Sequence, residues 1–456
     1  MIADQSRRAF MKRAAALGIA GSASSFVTQL LGIGEAAAAT APDYKALVCV
    51  FLYGGNDYAN TLPPFDQASY DLYNAARPTL AHARAALAAT ELKPGVPLPG
   101  GRQYALAPTM SPLLPLFDAG RMAILLNVGT LVRPTTKLQY SNKSVALPPK
   151  LFSHNDQQSY WQSSSPEGAT SGWGGRLGDL FQSGNGTSSL TCINASGNAV
   201  FLTGRTAIQY AVSTNGPIAL SGRSSLFGST TASAALQSIM SAPHAHLLEN
   251  EHATVSKRAL DLYAQVNGAL AAAPAANFSG FPTGNSLADQ LKIVARMISV
   301  SSELGARRQI FFVSLGGFDM HDGLAAAHPT QIGLVANAMR AFYDATVTMG
   351  VADRVTTFTA SDFGRTLTPN SDGSDHGWGS MHFVLGGAVK GANFYGTAPA
   401  VGNNTADDVG QGRLLPTTSV DQYAATLANW FGVAPADMTT VLPNIGNFPL
   451  QNLGFL

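Results

Sequence analysis

The sequence predicts an α/β protein, a three-layer sandwich built around a central, mostly parallel sheet. Three observations carry that expectation. A continuous apolar run over 46–53 and apolar-rich stretches over 122–128, 308–315 and 355–360 read as strands buried on both faces. Segments with helical apolar spacing precede several of these runs, which implies crossover units. Composition supplies the core: 46% of the 456 residues are hydrophobic and only 12% are charged.

The first strand is expected over 46–53, Ala-Leu-Val-Cys-Val-Phe-Leu-Tyr, closed by Gly54-Gly55. A helical stretch near 112–120 leads into a second apolar run over 122–128. Apolar residues at 287, 291, 294, 295 and 298 predict a helix over 286–304, followed by a strand over 308–315 that again ends in two glycines. A helix over 331–349 precedes a strand over 355–360, and 422–431 reads as a late amphipathic helix. The region of about 180–280 is richer in Ser, Thr, Gly and Ala and reads as an insertion or cap within one domain spanning 40–456. Within it, 199–202 reads as a short strand and 221–233 as a loop.

Charge excludes one class outright. With 28 basic and 27 acidic residues and no long run of either sign, the chain lacks the basic face that nucleic-acid binding needs. Gly and Pro, at 46 and 25 residues, call for many ordered turns, and the ample apolar content argues against disorder.

The first 39 residues read as a signal, separate from the fold. Ser6-Arg7-Arg8-Ala9-Phe10-Met11-Lys12 resembles a twin-arginine export motif, with Met where Leu is commonest. An uncharged stretch rich in Ala, Gly and Ser follows over 14–34, and Ala36 to Ala39 offer a cleavage site before Thr40. A membrane anchor is the alternative, weakened by that Gly and Ser content. The expected partner is the twin-arginine machinery, the expected location periplasmic or secreted, with no stable membrane span after cleavage. Cys49 and Cys192 each lie in an apolar run and read as buried strand residues; a disulfide between them stays open.

Polar clusters just beyond the strands are the candidates for chemistry, because ligands in open α/β sheets bind at the carboxyl ends of strands. Gly54-Gly55-Asn56-Asp57 follows the first strand, and its composition also suits a plain turn. Gly316-Gly317-Phe318-Asp319-Met320-His321 places Asp319 and His321 two apart, pointing the same way in extended backbone. Ser361-Asp362-Phe363-Gly364-Arg365 follows the fourth strand, and Asp375-His376-Gly377-Trp378-Gly379-Ser380-Met381-His382 lies in a Gly-rich loop. Asp and His together suit one or two divalent ions, Zn, Mn, Mg or Ca. His82, His244, His246, His252 and His328 sit in helical or Ala-rich contexts and read as surface or structural.

A further polar stretch, Leu151-Phe152-Ser153-His154-Asn155-Asp156-Gln157-Gln158, follows two prolines. Ser153 is a candidate nucleophile, His154 a candidate ligand or proton donor, and both also suit a helix start with Ser153 as cap. No Gly-x-Ser-x-Gly elbow flanks Ser153, so a serine-hydrolase reading is weak. Arg176, in Gly172-Trp173-Gly174-Gly175-Arg176, reads as structural or as an anion contact.

These clusters in this order resemble the bacterial export family known as domain of unknown function 1501, over essentially the whole mature chain. The most specific pieces are Phe51 to Asp57, Ser153-His154, Gly172-Trp173, Gly316 to His321, Ser361 to Thr366, Asp375 to Gly379 and Trp430-Phe431-Gly432-Val433. The resemblance implies kinship with the alkaline phosphatase and sulfatase superfamily, and so an alkaline-phosphatase-like fold with metal sites. By that kinship Asp57, Asp319, His321 and Asp362 would be ligands, completed by His376 or His382. Phe363 stands where many superfamily members place a His, and their nucleophile motif is not recognisable here. The function implied is an exported metal-dependent hydrolase of phosphate or sulfate esters, small-molecule or glycan, with Arg365 or Arg176 steadying the anion. The alternative is a non-catalytic exported protein that keeps the fold for binding or assembly.

Overall fold

A computed structural model describes residues 43–456; the signal expected over 1–39 lies outside the described residues. Strand β1 (Lys45–Leu52) forms the centre of the main sheet, paired in parallel with β6 (Arg308–Leu315) on one side and β7 (Val355–Ser361) on the other. Beyond β6 come β3 (Cys192–Asn194) and β4 (Gln209–Ser213), both parallel, and then the short antiparallel β5 (Gly216–Pro217). Beyond β7 lie β10 (Ser380–Gly386), β2 (Met122–Gly129) and β11 (Asn393–Tyr395), with β12 (Thr418–Ser419) also on β2. β10 runs antiparallel to both neighbours, so the sheet is mixed and mostly parallel.

Alternation along β1 makes the three layers. Ala46, Val48, Val50 and Leu52 enter one apolar cluster, against the helices Ser286–Ser299 and Leu324–Thr348. Leu47, Cys49 and Phe51 enter the other, against Trp161, Trp173, Leu177 and the helix Val420–Phe431. The continuous apolar run is therefore explained by a strand covered on both faces.

Departures from the sequence reading have local causes. The second helix begins at Leu324 instead of 331 and runs through Pro329, a residue that reads as a boundary because it removes one backbone donor. Around 112–120 the chain makes a 3-10 turn (Pro108–Leu113) and a short helix (Leu114–Asp118). Val200–Leu202 is a 3-10 turn, not a strand, while β3 and β4 of the same region join the main sheet. Ser229, expected in a loop, caps the helix Thr230–Ser241 through the Ala232 N–H, and a 25-residue helix, Leu247–Ala271, follows. Cys49 and Cys192 are buried and free, on strands separated by β6. Two strand spacings come to about 10 Å, beyond disulfide reach.

The carboxyl ends of β1, β6 and β7 lie together, and each runs into one polar cluster of the sequence. A separate hairpin, β8 (Arg365–Pro369) and β9 (Ser374–His376), opposes Arg365 to His376 and brings the fourth cluster to the same end.

Candidate metal centre

Gly54 and Gly55 let the backbone turn sharply at the end of β1, with φ of 116° and 81°. A Cβ on Gly54 would overlap the backbone nitrogen of Asp319, and one on Gly55 would overlap the Phe363 ring. This close approach seats the three loops on one another. The Gly54 N–H donates to Asp362 Oδ2 at 3.2 Å, and its carbonyl accepts from Arg365 Nη1 at 2.9 Å.

Four side chains converge above this floor. Nε2 of His376 lies 3.0 Å from Nε2 of His154 and 2.9 Å from Nε2 of His321. The Asp319 carboxylate reaches all three rings, at 3.3 Å from His154 Nε2, 3.1 Å from His321 Nε2 and 3.3 Å from His376 Nε2. Each second ring nitrogen has its own acceptor. His154 Nδ1 is 2.7 Å from Asp362 Oδ2, His321 Nδ1 is 3.2 Å from Asp375 Oδ1, and His376 Nδ1 is 2.7 Å from the Phe152 carbonyl.

The chemistry of this donor set fits a metal ion. Acceptors at Nδ1 place the ring protons there, so in neutral imidazoles three Nε2 lone pairs and a carboxylate face one another. Such an arrangement is repulsive without a cation between, and carboxylate-bound histidines are the usual way of orienting ligands. Zn–N and Zn–O bonds of about 2.0–2.2 Å in a tetrahedron put ligand atoms roughly 3.3–3.5 Å apart, close to the separations here.

Local electrostatics agree. The hydrogen bond to Asp362 raises the His154 pKa, while burial lowers that of His376. Burial would raise Asp319, but the Arg365 hydrogen bond and the neighbouring charges hold it below the usual carboxylate range. Arg365 is wholly buried and spends its other donors on Ser374, Gly54 and Phe318 oxygens. The open face of the centre is formed by Asp319 and His321, with side chains 45% and 44% exposed.

The expected site residues divide accordingly. Asp319, His321, His376 and His154 come together. Asp362 sits behind His154 and takes Gln158 Nε2 at 2.7 Å as well, so it orients a ring and does not face the centre. Asp57 is drawn away: both its oxygens bind Arg77 at 2.8 Å, with neither side chain exposed. His382 lies in β10, packed at 5.3 Å on Trp161 and at 6.0 Å on Tyr423, and burial lowers its pKa to about 3. Ser153 is turned aside, its hydroxyl donating to Asp156 at 3.0 Å. Arg365 is wholly buried and tied to Asp319, and Arg176 is spent on the carbonyls of Val441, Ser171 and Ser163.

Sequence reasoning quoted Asp375 and Gln158 within candidate clusters without giving either a role, and passed over Arg413 and the Phe152 carbonyl. Gln158 had a signal, since it stands one helical turn after His154 in the helix His154–Ser163 and meets the same Asp362 oxygen. Arg413, which donates from Nε to the His376 carbonyl at 2.7 Å, had none.

Comparison with known proteins gives a family and a set of distant folds. Among the described residues no helix is long and apolar enough to cross a membrane. No curated protein matches the sequence. Ps i-CgsB, solved in complex with k-i-k-neocarrahexaose, aligns over 87% of this chain and 74% of its own, at 10% identity and a TM-score of 0.35. A structure from work on glycosaminoglycan metabolism by Bacteroides thetaiotaomicron aligns over 86% of this chain and 73% of its own, at 10% identity and a TM-score of 0.33. The soluble domain of lipooligosaccharide phosphoethanolamine transferase A from Neisseria meningitidis aligns over 86% of this chain and 89% of its own, at 12% identity and a TM-score of 0.31. The sequence itself is matched over residues 44–441 by the model of a protein family of unknown function, and the chain belongs to that family, DUF1501.

Proposed function

We propose that this chain is an exported, metal-dependent hydrolase of phosphate or sulfate esters, carried out by the twin-arginine machinery and acting on small-molecule or glycan esters. The observation behind this reading is the convergence of His154, His321 and His376 Nε2 on Asp319, with every Nδ1 held by an acceptor. A divalent cation held by His154, His376 and Asp319, with a position left open beside His321, would supply Lewis acidity toward an ester oxygen and acidify water at neutral pH. Asp362, Asp375 and the Phe152 carbonyl fix the tautomers, and Arg365 fixes Asp319. Among the described residues no Ser or Thr hydroxyl is hydrogen-bonded to these four side chains, so water is the nucleophile in this reading. The half-exposed faces of Asp319 and His321 leave room for the ester.

That same turning-away of Ser153 favours the second reading, a non-catalytic exported protein that holds a metal for binding or assembly. Protein from the exported fraction, assayed on 4-nitrophenyl phosphate, 4-nitrophenyl sulfate and a panel of sulfated and phosphorylated glycans, decides between them. Turnover by the wild type that is lost in His154→Ala supports the hydrolase. Metal-loaded protein that turns over none of them supports the second reading.

A further inference from the structure

We infer that the centre takes a single borderline divalent cation, Zn2+ in preference to Mg2+ or Ca2+, and that the buried guanidinium of Arg365 stands where a second metal would otherwise balance Asp319. The inference rests on the metal-binding part of the proposed function and deepens it.

Donor chemistry is the first ground. Two imidazole nitrogens and one carboxylate, with a third imidazole beside them, form a nitrogen-rich set, whereas Mg2+ and Ca2+ call for sites made of oxygens. His154, Asp319 and His376 bring one donor atom each within 4.8 Å of one another, three protein ligands for one tetrahedral ion whose fourth position stays open to water. His321 Nε2, 2.9 Å from His376 Nε2, stands beside that open position.

Commitment of the remaining carboxylates is the second ground. A second ion needs several oxygen donors, and those nearby are largely engaged: Asp375 Oδ1 is taken by His321 and Asn370. Asp57 is clasped through both oxygens by Arg77, at 2.8 Å each. Asp362 Oδ2 accepts from His154, Gln158 and the Gly54 N–H; only its Oδ1 is buried without a partner, and one oxygen makes no site. Asp319 Oδ1 is held by Arg365 Nη1 at 2.9 Å.

Charge is the third. Asp319, Asp362 and Asp375 touch the imidazoles, and Arg365 is the cation bonded to them. Neutral imidazoles then leave two negative charges, which one divalent cation cancels. Two such ions would leave an excess of two positive charges in a partly buried site, a costly state. Asp57 and Arg77 cancel each other and do not alter the count.

The test is metal stoichiometry on the full mature protein from the exported fraction. Chelator-treated protein is titrated with Zn2+ by calorimetry, its bound metal is measured by mass spectrometry after dialysis, and Co2+ is added separately to read the visible spectrum. One Zn2+ per chain, an intense tetrahedral Co2+ spectrum and no displacement by millimolar Mg2+ or Ca2+ are expected. His376→Ala is expected to weaken Zn2+ by more than about 100-fold, beyond the 10–100-fold typical of residues that only orient ligands, and His321→Ala to weaken it less. Two Zn2+ per chain would overturn the single-ion assignment and leave the metal-dependent hydrolase standing. Unchanged Zn2+ affinity in His376→Ala would overturn the ligand set. No bound metal at all would sink this inference and the proposed function together.

Discussion

Nδ1 of His376 lies 2.7 Å from the backbone carbonyl oxygen of Phe152. A carbonyl only accepts, so Nδ1 carries a proton and Nε2 of the neutral ring presents its lone pair to the centre. Phe152 holds that carbonyl in place from a left-handed backbone conformation, φ 71°, which is uncommon for a residue with a side chain. Its ring lies 5.1 Å from the Arg413 guanidinium, which binds the His376 carbonyl. His376 is thus gripped at ring and backbone by one strained residue and its stacking partner.

Phe152→Gly tests the grip. Glycine adopts the same backbone freely, so the strain disappears, but the contact with Arg413 goes too. Stability is expected to change by less than about 1.5 kcal/mol, since strain relief and lost cation–π contact are each about 1 kcal/mol. Zn2+ affinity is expected to fall about 10-fold to 100-fold as the carbonyl loses its fixed aim. Calorimetric titration of variant and wild type reads it, and equal affinities would remove Phe152 from any orienting role.

Asp362→Asn separates charge from geometry. Oδ1 of Asp362 is buried and has no partner, so an amide nitrogen there displaces no hydrogen bond, and the remaining oxygen can still accept from His154, Gln158 and Gly54. Folding is expected to survive, while metal affinity drops about 10–100-fold because His154 loses its anionic partner. The His154 pKa, raised in the wild type, is expected to fall, as ring proton shifts in NMR titration of the metal-free protein would report.

The sheet was legible because its strands are wrapped on both faces. Residues 46–52 and 308–315 have no polar side to alternate with, and that pattern survives any tertiary context. The clusters at the strand ends were legible for the same reason: Asp319 and His321 break an apolar pattern abruptly. What the sequence hid is how charge is shared out. Asp57 and Asp362 both follow buried strands, and nothing local tells that Arg77, twenty residues on, claims the first while His154 claims the second. His376 and His382 were inseparable by spacing; they part because β9 ends at His376 while β10 buries His382 among aromatic rings. The carbonyl of Phe152 leaves no trace in sequence, since a backbone acceptor belongs to every residue.

Arg77→Met is expected to be severe for stability. It leaves the Asp57 carboxylate buried and unpaired, a change that typically costs about 3–5 kcal/mol. Denaturant unfolding measures the loss. The folded fraction is expected to keep full metal content, because Asp57 lies outside the imidazole cluster; a parallel loss of Zn2+ would return Asp57 to the ligand set.

The proposed export would depend on the paired arginines. Replacing Arg7 and Arg8 by Lys keeps the charge and removes the motif, so folded precursor is expected to accumulate in the cytoplasm. Immunoblots of the fractions report it, and normal delivery of the double variant would refute the twin-arginine assignment.

Asp421 contributes one pH dependence of folding. It stands in the first turn of the helix Val420–Phe431, 1% exposed, and burial raises its pKa to about 6 from an ordinary 3.8. Below about pH 4 it is protonated in both folded and unfolded chains and has no effect. Between about pH 4 and 6 the folded chain holds the proton that the unfolded chain has released. This group's contribution therefore falls as pH rises through that window, and above about pH 6 the full penalty stands at about 3 kcal/mol. Asp421→Asn removes the ionisation while its oxygen keeps the Asn444 N–H, and its amide can donate to the Ser164 hydroxyl. The variant is expected to be more stable than the wild type at pH 7.5, by up to about 3 kcal/mol, with the difference vanishing toward pH 4. Denaturant unfolding of both proteins across this range reads the difference directly. A gap that stays constant with pH would show that Asp421 titrates alike in the folded and unfolded chains.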